Sequence, residues 1–314
     1  MNKIDRVAVC SRSFSKNTVL RSELLAKYEH VTFNDSGRQM EGDELVTFLK
    51  GHDKAITALE RITADVISRL PQLKVIGKYG VGLDMIDLNA LSQYGVQLGW
   101  TGGVNKRSVA ELVIAAAIAL LHRTEESHAE VRAGQWRQLP GRQLSGRTVG
   151  IVGCGHIGKE VAILLRAFGC RILANDIKDF PEFYQANGVQ PVSLEDLLAE
   201  AEVVTLHLPL DVSTHRMFDA ERLGKMRKGA CLINLARGGI IDEVVLKQRL
   251  KEGLLAGAAL DVFEEEPPRD TELLNLPTLI ATGHIGGSTE EAVLAMGRAA
   301  IAGLDTTRSA ASYL

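Results

Sequence analysis

Short β-branched apolar runs alternate along the chain with longer stretches of helical character. In the first third the runs are RVAVCS (6–11), KAITAL (54–59), LKVIGKY (73–79) and GVQLGW (95–100). Between them lie VLRSELLAKY and TADVISRL, whose patterns suit helices. Strands that alternate with helices read as a parallel sheet covered on its faces. A long helix is predicted from about Asn105 to Arg132, followed by the turn-rich connector AGQWRQLPGRQLSG. A second series of strands then begins: TVGIVG (148–153), CRILAND (170–176), EVVTLHL (202–208), ACLINLA (230–236), AGAALDVF (256–263) and TLIAT (278–282). The expected fold class is α/β, with two doubly wound parallel-sheet domains and a boundary near residue 100. The last helical stretch, TEEAVLAMGRAAIAGL, follows the second sheet and is expected to pack back on the first domain.

Composition narrows the class. The chain has 314 residues, 46% hydrophobic and 24% charged, enough for two domains with substantial cores. A net charge of −3 argues against nucleic acid or an anionic membrane as partner. The four cysteines, Cys10, Cys154, Cys170 and Cys231, form no CxxC pair. That argues against a disulfide framework or a metal site and for small buried thiols in a reducing cytoplasm. The N-terminus has no long apolar leader region. The apolar run Val109–His122 is too short to span a bilayer and reads as a buried helix at a domain or subunit interface.

The first chemical signal is Gly153-x-Gly155-x-x-Gly158, at the exit of an apolar strand and the entrance of a helix. In that setting the first glycine permits a tight turn, the second lets backbone approach a pyrophosphate, and the third lets helix and strand pack closely. The N–H groups at the helix start, around His156 and Ile157, would hold the phosphates. Asp176 ends the next strand, where a carboxylate accepts both ribose hydroxyls of NAD and repels the 2′-phosphate of NADP. The predicted cofactor is NAD.

Ligands bind open parallel sheets beyond the carboxyl ends of the strands, so the polar residues there are the candidates for chemistry. In the second series the third strand gives His207, followed by Leu208 and Pro209. The fourth gives Arg237 before two glycines, the fifth Asp261, and the sixth His284, with Gly286 beyond it. The segment DVFEEEPP then offers three glutamates. Glu266 precedes Pro267, which pushes it toward extended backbone. Glu264 and Glu265 lack that restraint and read as solvated. Glu266 is therefore expected to pair with His284, favouring the imidazolium and orienting the ring. A histidine suits proton exchange with a hydroxyl, and an arginine fork suits a carboxylate. Together with a nicotinamide cofactor they predict interconversion of a 2-hydroxy acid and a 2-oxo acid.

The sequence resembles the D-isomer-specific 2-hydroxyacid dehydrogenases, most closely their phosphoglycerate dehydrogenase branch. The resemblance rests on KYGVGLDMIDL (78–88), VNKRSVAEL (104–112), GQWRQLPGRQLSGRTVGIVGCGHIG (134–158), LINLARGGIIDE (232–243), AGAALDVFEEEPPRD (256–270) and HIGGSTEEA (284–292). It implies Arg237, Glu266 and His284 as the catalytic set. It also implies Leu235, Ala236 and Asp261 along the cofactor, and Lys78, Gly80, Val81 and Gly82 as a substrate-binding loop with Arg237 and His284. It implies a Rossmann NAD-binding domain over 101–286 and a flavodoxin-like substrate domain from 1–100 and 287–314. A homodimer through the cofactor domains, with Val109–His122 at the interface, and the absence of any metal complete the expectation.

Within this family 3-phosphoglycerate is one named candidate substrate. Against it stand Thr57, which offers no charge, Lys78, which is only a point charge, and Glu60, which repels phosphate if it faces the ligand. Two rival readings share the fold: an NAD-sensing protein akin to transcriptional corepressors, and a dehydrogenase of a non-carboxylate oxyanion. Turnover on a panel of 2-oxo acids separates all three.

Overall fold

The structure, a computed structural model, describes residues 3–313. The chain divides into two compact units. One takes the described residues up to Asn105 and from Glu290 onward; the other is Lys106–Thr289.

The first unit contains strands β1 (Lys3–Val9), β2 (Tyr28–Phe33), β3 (Lys54–Thr57), β4 (Val75–Lys78) and β5 (Gln97–Gly99). They are parallel, in the order β2-β1-β3-β4-β5, with the short strand Arg308–Ser309 antiparallel on the β5 edge. Successive side chains leave opposite faces of the sheet. Ala8, Cys10, Ala55 and Ile76 thus enter one core with Leu45, Leu49 and Ile67, while Val7, Val9 and Ile56 enter another with Phe14, Leu20 and Ile301. Helix Glu290–Gly303 packs on β4 and β5, where a Cβ on Gly77 would stand 2.5 Å from the Ala300 carbonyl oxygen. The strands are shorter than the apolar runs because pairing stops where the chain turns away. Cys10, Ala58 and Tyr79 follow the strand ends on the carboxyl edge, where Cys10 N and Tyr79 N make the last bonds, to Ile56 O at 2.9 Å and Thr57 O at 2.8 Å. Strand β2 escapes the sequence pattern because, as an edge strand, it buries only Tyr28 fully.

The second unit holds β6 (Thr148–Val152), β7 (Arg171–Asn175), β8 (Val189–Pro191), β9 (Val203–Leu206), β10 (Ala230–Asn234), β11 (Leu255–Leu260) and β12 (Leu279–Ala281). All pairs are parallel, in the order β8-β7-β6-β9-β10-β11-β12. The sheet reverses direction between β6 and β9, as in a doubly wound dinucleotide fold.

The single long helix expected before this sheet is two helices, Lys106–His122 and Thr124–Arg132, separated by Arg123 at φ 57°. The reason is visible in what each buries. Val109, Ala110, Val113, Ala116, Ala117, Leu120 and Leu121 belong to the core of the second unit, whereas Thr124–Arg132 has no buried residue to continue that face. The buried carboxylate of Glu160, in helix His156–Arg166, pairs with Lys106 at 3.1 Å and Arg107 at 3.0 Å, fixing the start of the first helix.

Candidate active site

The turn after β6 is built by what its glycines lack. Gly153 has φ 92°, and a Cβ there would stand 2.5 Å from the His207 carbonyl oxygen. A Cβ on Gly158 would collide with the Gly153 carbonyl. The turn therefore lies tight against β9 and against its own helix. A Cβ on Gly155 would meet nothing within 4 Å. The loop is open on that side, at the start of helix His156–Arg166, where backbone N–H groups and the helix dipole favour an anion.

Asp176 stands immediately beyond β7 and is bonded to the same loop. Its Oδ2 accepts from Cys154 N at 2.6 Å, and its Oδ1 from Lys178 N at 2.8 Å. An anion-binding turn with a carboxylate fixed beside it fits the diphosphate and ribose of a dinucleotide. His207 follows β9. Its Nε2 lies 3.0 Å from Thr205 Oγ1, and burial pushes its pKa down to about 3, so the ring is neutral at physiological pH. Leu208 and Pro209 continue that strand end, with Leu208 against Gly153.

The three strands on the other side of the switch carry Arg237, Asp261 and His284 at successive carboxyl ends. After β10, Asn234 organises the turn: its Nδ2 donates to Arg237 O at 2.8 Å, and its Oδ1 accepts from Ala236 N at 3.1 Å. Leu235 and Ala236 are thereby held buried at the strand end. The Arg237 Nη1 donates to Ala236 O at 2.7 Å. Gly238 has no alternative residue, since any Cβ would overlap the Phe263 carbonyl.

Beyond β12, His284 adopts φ 57°, a left-handed backbone that few side chains take. Asp261 supports it. The His284 N–H donates to Asp261 O at 2.8 Å. The Asp261 carboxylate accepts from Ile285 N at 2.8 Å, Gly286 N at 2.8 Å and the Thr282 hydroxyl at 2.6 Å. Asp261 thus caps the turn that presents His284. The Ser108 hydroxyl holds the far side through Gly286 O at 2.6 Å. Glu266 meets the ring: its Oε2 lies 3.0 Å from His284 Nδ1, while its Oε1 accepts from Phe263 N at 3.2 Å. The bond from Glu266 to Pro267 is cis. Glu264 pairs with Arg216 at 3.1 Å and Glu265 with Arg269 at 2.9 Å, both exposed.

In the first unit, Lys78 ends β4 with its ammonium donating to the Ala58 carbonyl. Gly80, at φ 118°, turns the loop that follows, and the Trp100 indole N–H fixes it on Val81 O at 3.0 Å. Gly80, Val81 and Gly82 are half-buried.

Asn234, Thr282 and Ser108 escaped the sequence reading. Asn234 and Ser108 act on backbone atoms and Thr282 on the Asp261 carboxylate, and only Asn234 carried a local hint, its place in NLARGG just before the arginine.

Residues 114–286 match the model of the D-isomer specific 2-hydroxyacid dehydrogenase, NAD binding domain. The D-3-phosphoglycerate dehydrogenase of Methanocaldococcus jannaschii is 39% identical over 81% of this chain and 49% of its own length. The hydroxypyruvate reductase of Thermotoga maritima is 36% identical over 82% of this chain and 85% of its own. The crystal structure of a glyoxylate reductase from Paecilomyes thermophila superposes with a TM-score of 0.85 at 27% identity, covering 95% of this chain and 94% of that one. The chain spans about half the length of the phosphoglycerate dehydrogenases it matches. A matched cofactor domain with its glycine turn intact, and relatives this similar over four-fifths of the chain, lead to one conclusion: the chain belongs to the D-isomer specific 2-hydroxyacid dehydrogenase family.

Proposed function

We propose that the protein is an NAD-dependent oxidoreductase that interconverts a D-2-hydroxy acid and the corresponding 2-oxo acid. The observation that carries this reading is the 3.0 Å pair between His284 Nδ1 and Glu266, at the edge where the sheet of the NAD-binding domain ends. With Nδ1 engaged by a carboxylate, Nε2 is the atom left to exchange a proton with the substrate oxygen. In reduction His284 gives that proton as the carbonyl becomes a hydroxyl; in oxidation it takes the proton back. Glu266 fixes the ring through Nδ1. Arg237 holds the substrate's carboxylate and polarises the adjoining carbonyl with a planar cation.

Bound NAD supplies the hydride acceptor or donor. Gly153, Gly155, His156, Ile157 and Gly158 would hold its diphosphate and Asp176 its ribose. His207, Leu208, Pro209, Leu235, Ala236, Asp261 and Gly286 would line its remaining length. Because His207 is neutral, it would add no charge to the cofactor site. In the first unit the backbone from Lys78 to Gly82 is assigned to the substrate carboxylate.

A homodimer through the NAD-binding domains belongs to the same reading. It is supported by Trp136, 85% exposed, beside a helix, Thr124–Arg132, with no buried residue. A cytoplasmic location is supported by four cysteines in thiol form. The deciding experiment is NADH oxidation against a panel of 2-oxo acids. Turnover of none of them, with NADH still bound, would favour a sensor and overturn the enzyme reading.

A further inference from the structure

The first unit's sheet reverses direction between β1 and β3. In open parallel sheets that switch point, beyond the carboxyl ends, is where ligands bind. The loop after β3 carries a charge that nothing in the reaction uses. Glu60 is 2% exposed, and its Oε2 accepts from Ala58 N at 2.6 Å. Lys78, 4% exposed, donates to Ala58 O. A carboxylate and an ammonium are thus fastened to the two backbone groups of one residue.

Among the described residues Lys78 is the only buried lysine or arginine. Its ammonium lies under the loop assigned to the substrate carboxylate: a Cβ on Gly80 would stand 3.8 Å from it. The Glu60 carboxylate and the Lys78 ammonium are held on the N–H and the carbonyl of Ala58, so the loop assigned to the substrate carboxylate adjoins a buried negative charge as well as a buried cation. Two polar positions on this edge are neutral. Thr57, opposite Lys78 in register, is fully buried, and Ser13 Oγ donates to Tyr79 OH at 3.3 Å. Arg12, the first residue of helix Arg12–Lys16, and Arg61, in the loop after Glu60, are exposed. A phosphate on the substrate would bring about −1.5 to −2 further charges to this edge. Away from bulk water, like charges repel strongly and salt screens them little.

We propose that Glu60 is a specificity-determining residue, which makes this chain select 2-oxo acids with an uncharged tail and reject phosphate esters such as that of hydroxypyruvate. The proposal rests on the 2-oxo acid reading above, and it separates this chain from the D-3-phosphoglycerate dehydrogenases among its relatives. Rejection by a repulsive group is a common way to gain specificity.

The test is kcat/KM with NADH for hydroxypyruvate and for its 3-phosphate ester, in the wild type and in Glu60→Gln. The amide keeps an acceptor for Ala58 N and loses the charge. The wild type should favour hydroxypyruvate by about tenfold or more, the scale of a like-charge penalty, and the substitution should shrink that ratio by a similar factor. A wild-type preference for the ester overturns the proposal, whether or not the variant folds. So does a ratio unchanged in a folded variant, or an ester preference abolished by Arg12→Ala or Arg61→Ala. If neither compound nor any other 2-oxo acid is reduced, the enzyme reading itself has failed, and this inference with it.

Discussion

Glu266 Oε2 sits 3.0 Å from His284 Nδ1, and the other oxygen of the same carboxylate accepts from Phe263 N at 3.2 Å. The glutamate is therefore fixed to its own loop while it fixes the ring. Glu266→Gln keeps the shape of the side chain but can turn an amide donor toward Nδ1, so the ring loses its fixed orientation. The kcat for reduction should fall, by less than the ~10²–10⁴-fold expected when the histidine itself is removed. A wild-type kcat in the folded variant would mean that the pair does not position the proton donor.

Removing either end of the proposed chemistry should fail differently. His284→Ala should lower kcat by ~10²–10⁴-fold, the range of general acid–base groups. Arg237→Ala should also raise KM, because a contact to the ground-state carboxylate is lost. Steady-state kinetics on one 2-oxo acid reads both. Near-normal kcat in His284→Ala would remove the histidine from the mechanism.

Asp261 makes four bonds to the His284 turn, three of them through its carboxylate. Asp261→Asn keeps the shape but replaces one acceptor oxygen with a donor that faces an N–H. A loss of stability of about 2–4 kcal/mol is expected, from hydrogen bonds to a buried charge. At a temperature where the variant is still folded, kcat should fall as well, because His284 is no longer held at its left-handed backbone. Thermal unfolding and kinetics on the same sample check this; wild-type kcat in a destabilised variant would leave Asp261 a purely structural residue.

Cofactor choice should depend on Asp176. Its carboxylate repels a 2′-phosphate and braces the glycine turn through Cys154 N, and the neighbouring Ile177 offers no cation. NAD should be preferred over NADP. Asp176→Ala should lower kcat/KM for NAD by about 10–100-fold, the worth of a charged hydrogen bond, with a smaller loss for NADP. Equal kcat/KM for the two cofactors in the wild type would contradict the assignment.

His207 should make the protein acid-sensitive. Burial lowers its pKa from the usual 6.5 to about 3. The unfolded chain then binds a proton below about pH 6.5 that the folded chain refuses. Stability is complete above that pH and declines as pH falls toward 3. Between pH 7 and pH 5 the loss from this residue is about 2 kcal/mol, at 1.36 kcal/mol per pH unit once the unfolded form is fully protonated. His207→Gln removes the titration, so its urea midpoint should fall less over that interval. Parallel declines in the two proteins would show that other groups dominate.

Local pattern was enough for the two α/β sheets, the glycine turn and the choice of Glu266 as the partner of His284, because each is written in contiguous residues. Apolar runs give strands, Gly153-x-Gly155-x-x-Gly158 gives an anion turn, and Glu266 before Pro267 singles out one glutamate of three. Strand order, which brings Arg237, Asp261 and His284 to successive strand ends, was legible only through the general rule that ligands gather there. The break at Arg123 was not legible, since helical residues continue on both sides and only loss of burial ends the first helix. Nor were the partners of Asp261, which are N–H groups and a hydroxyl more than twenty residues away, nor the role of Asn234, which bonds backbone rather than side chains. For Glu60 the sequence supplied the charge, and the tertiary structure decided that it is buried and fastened beside Lys78. Residue type and order specify which groups exist. Whether a charge meets water or another charge depends on the packing of distant segments, which folding alone sets.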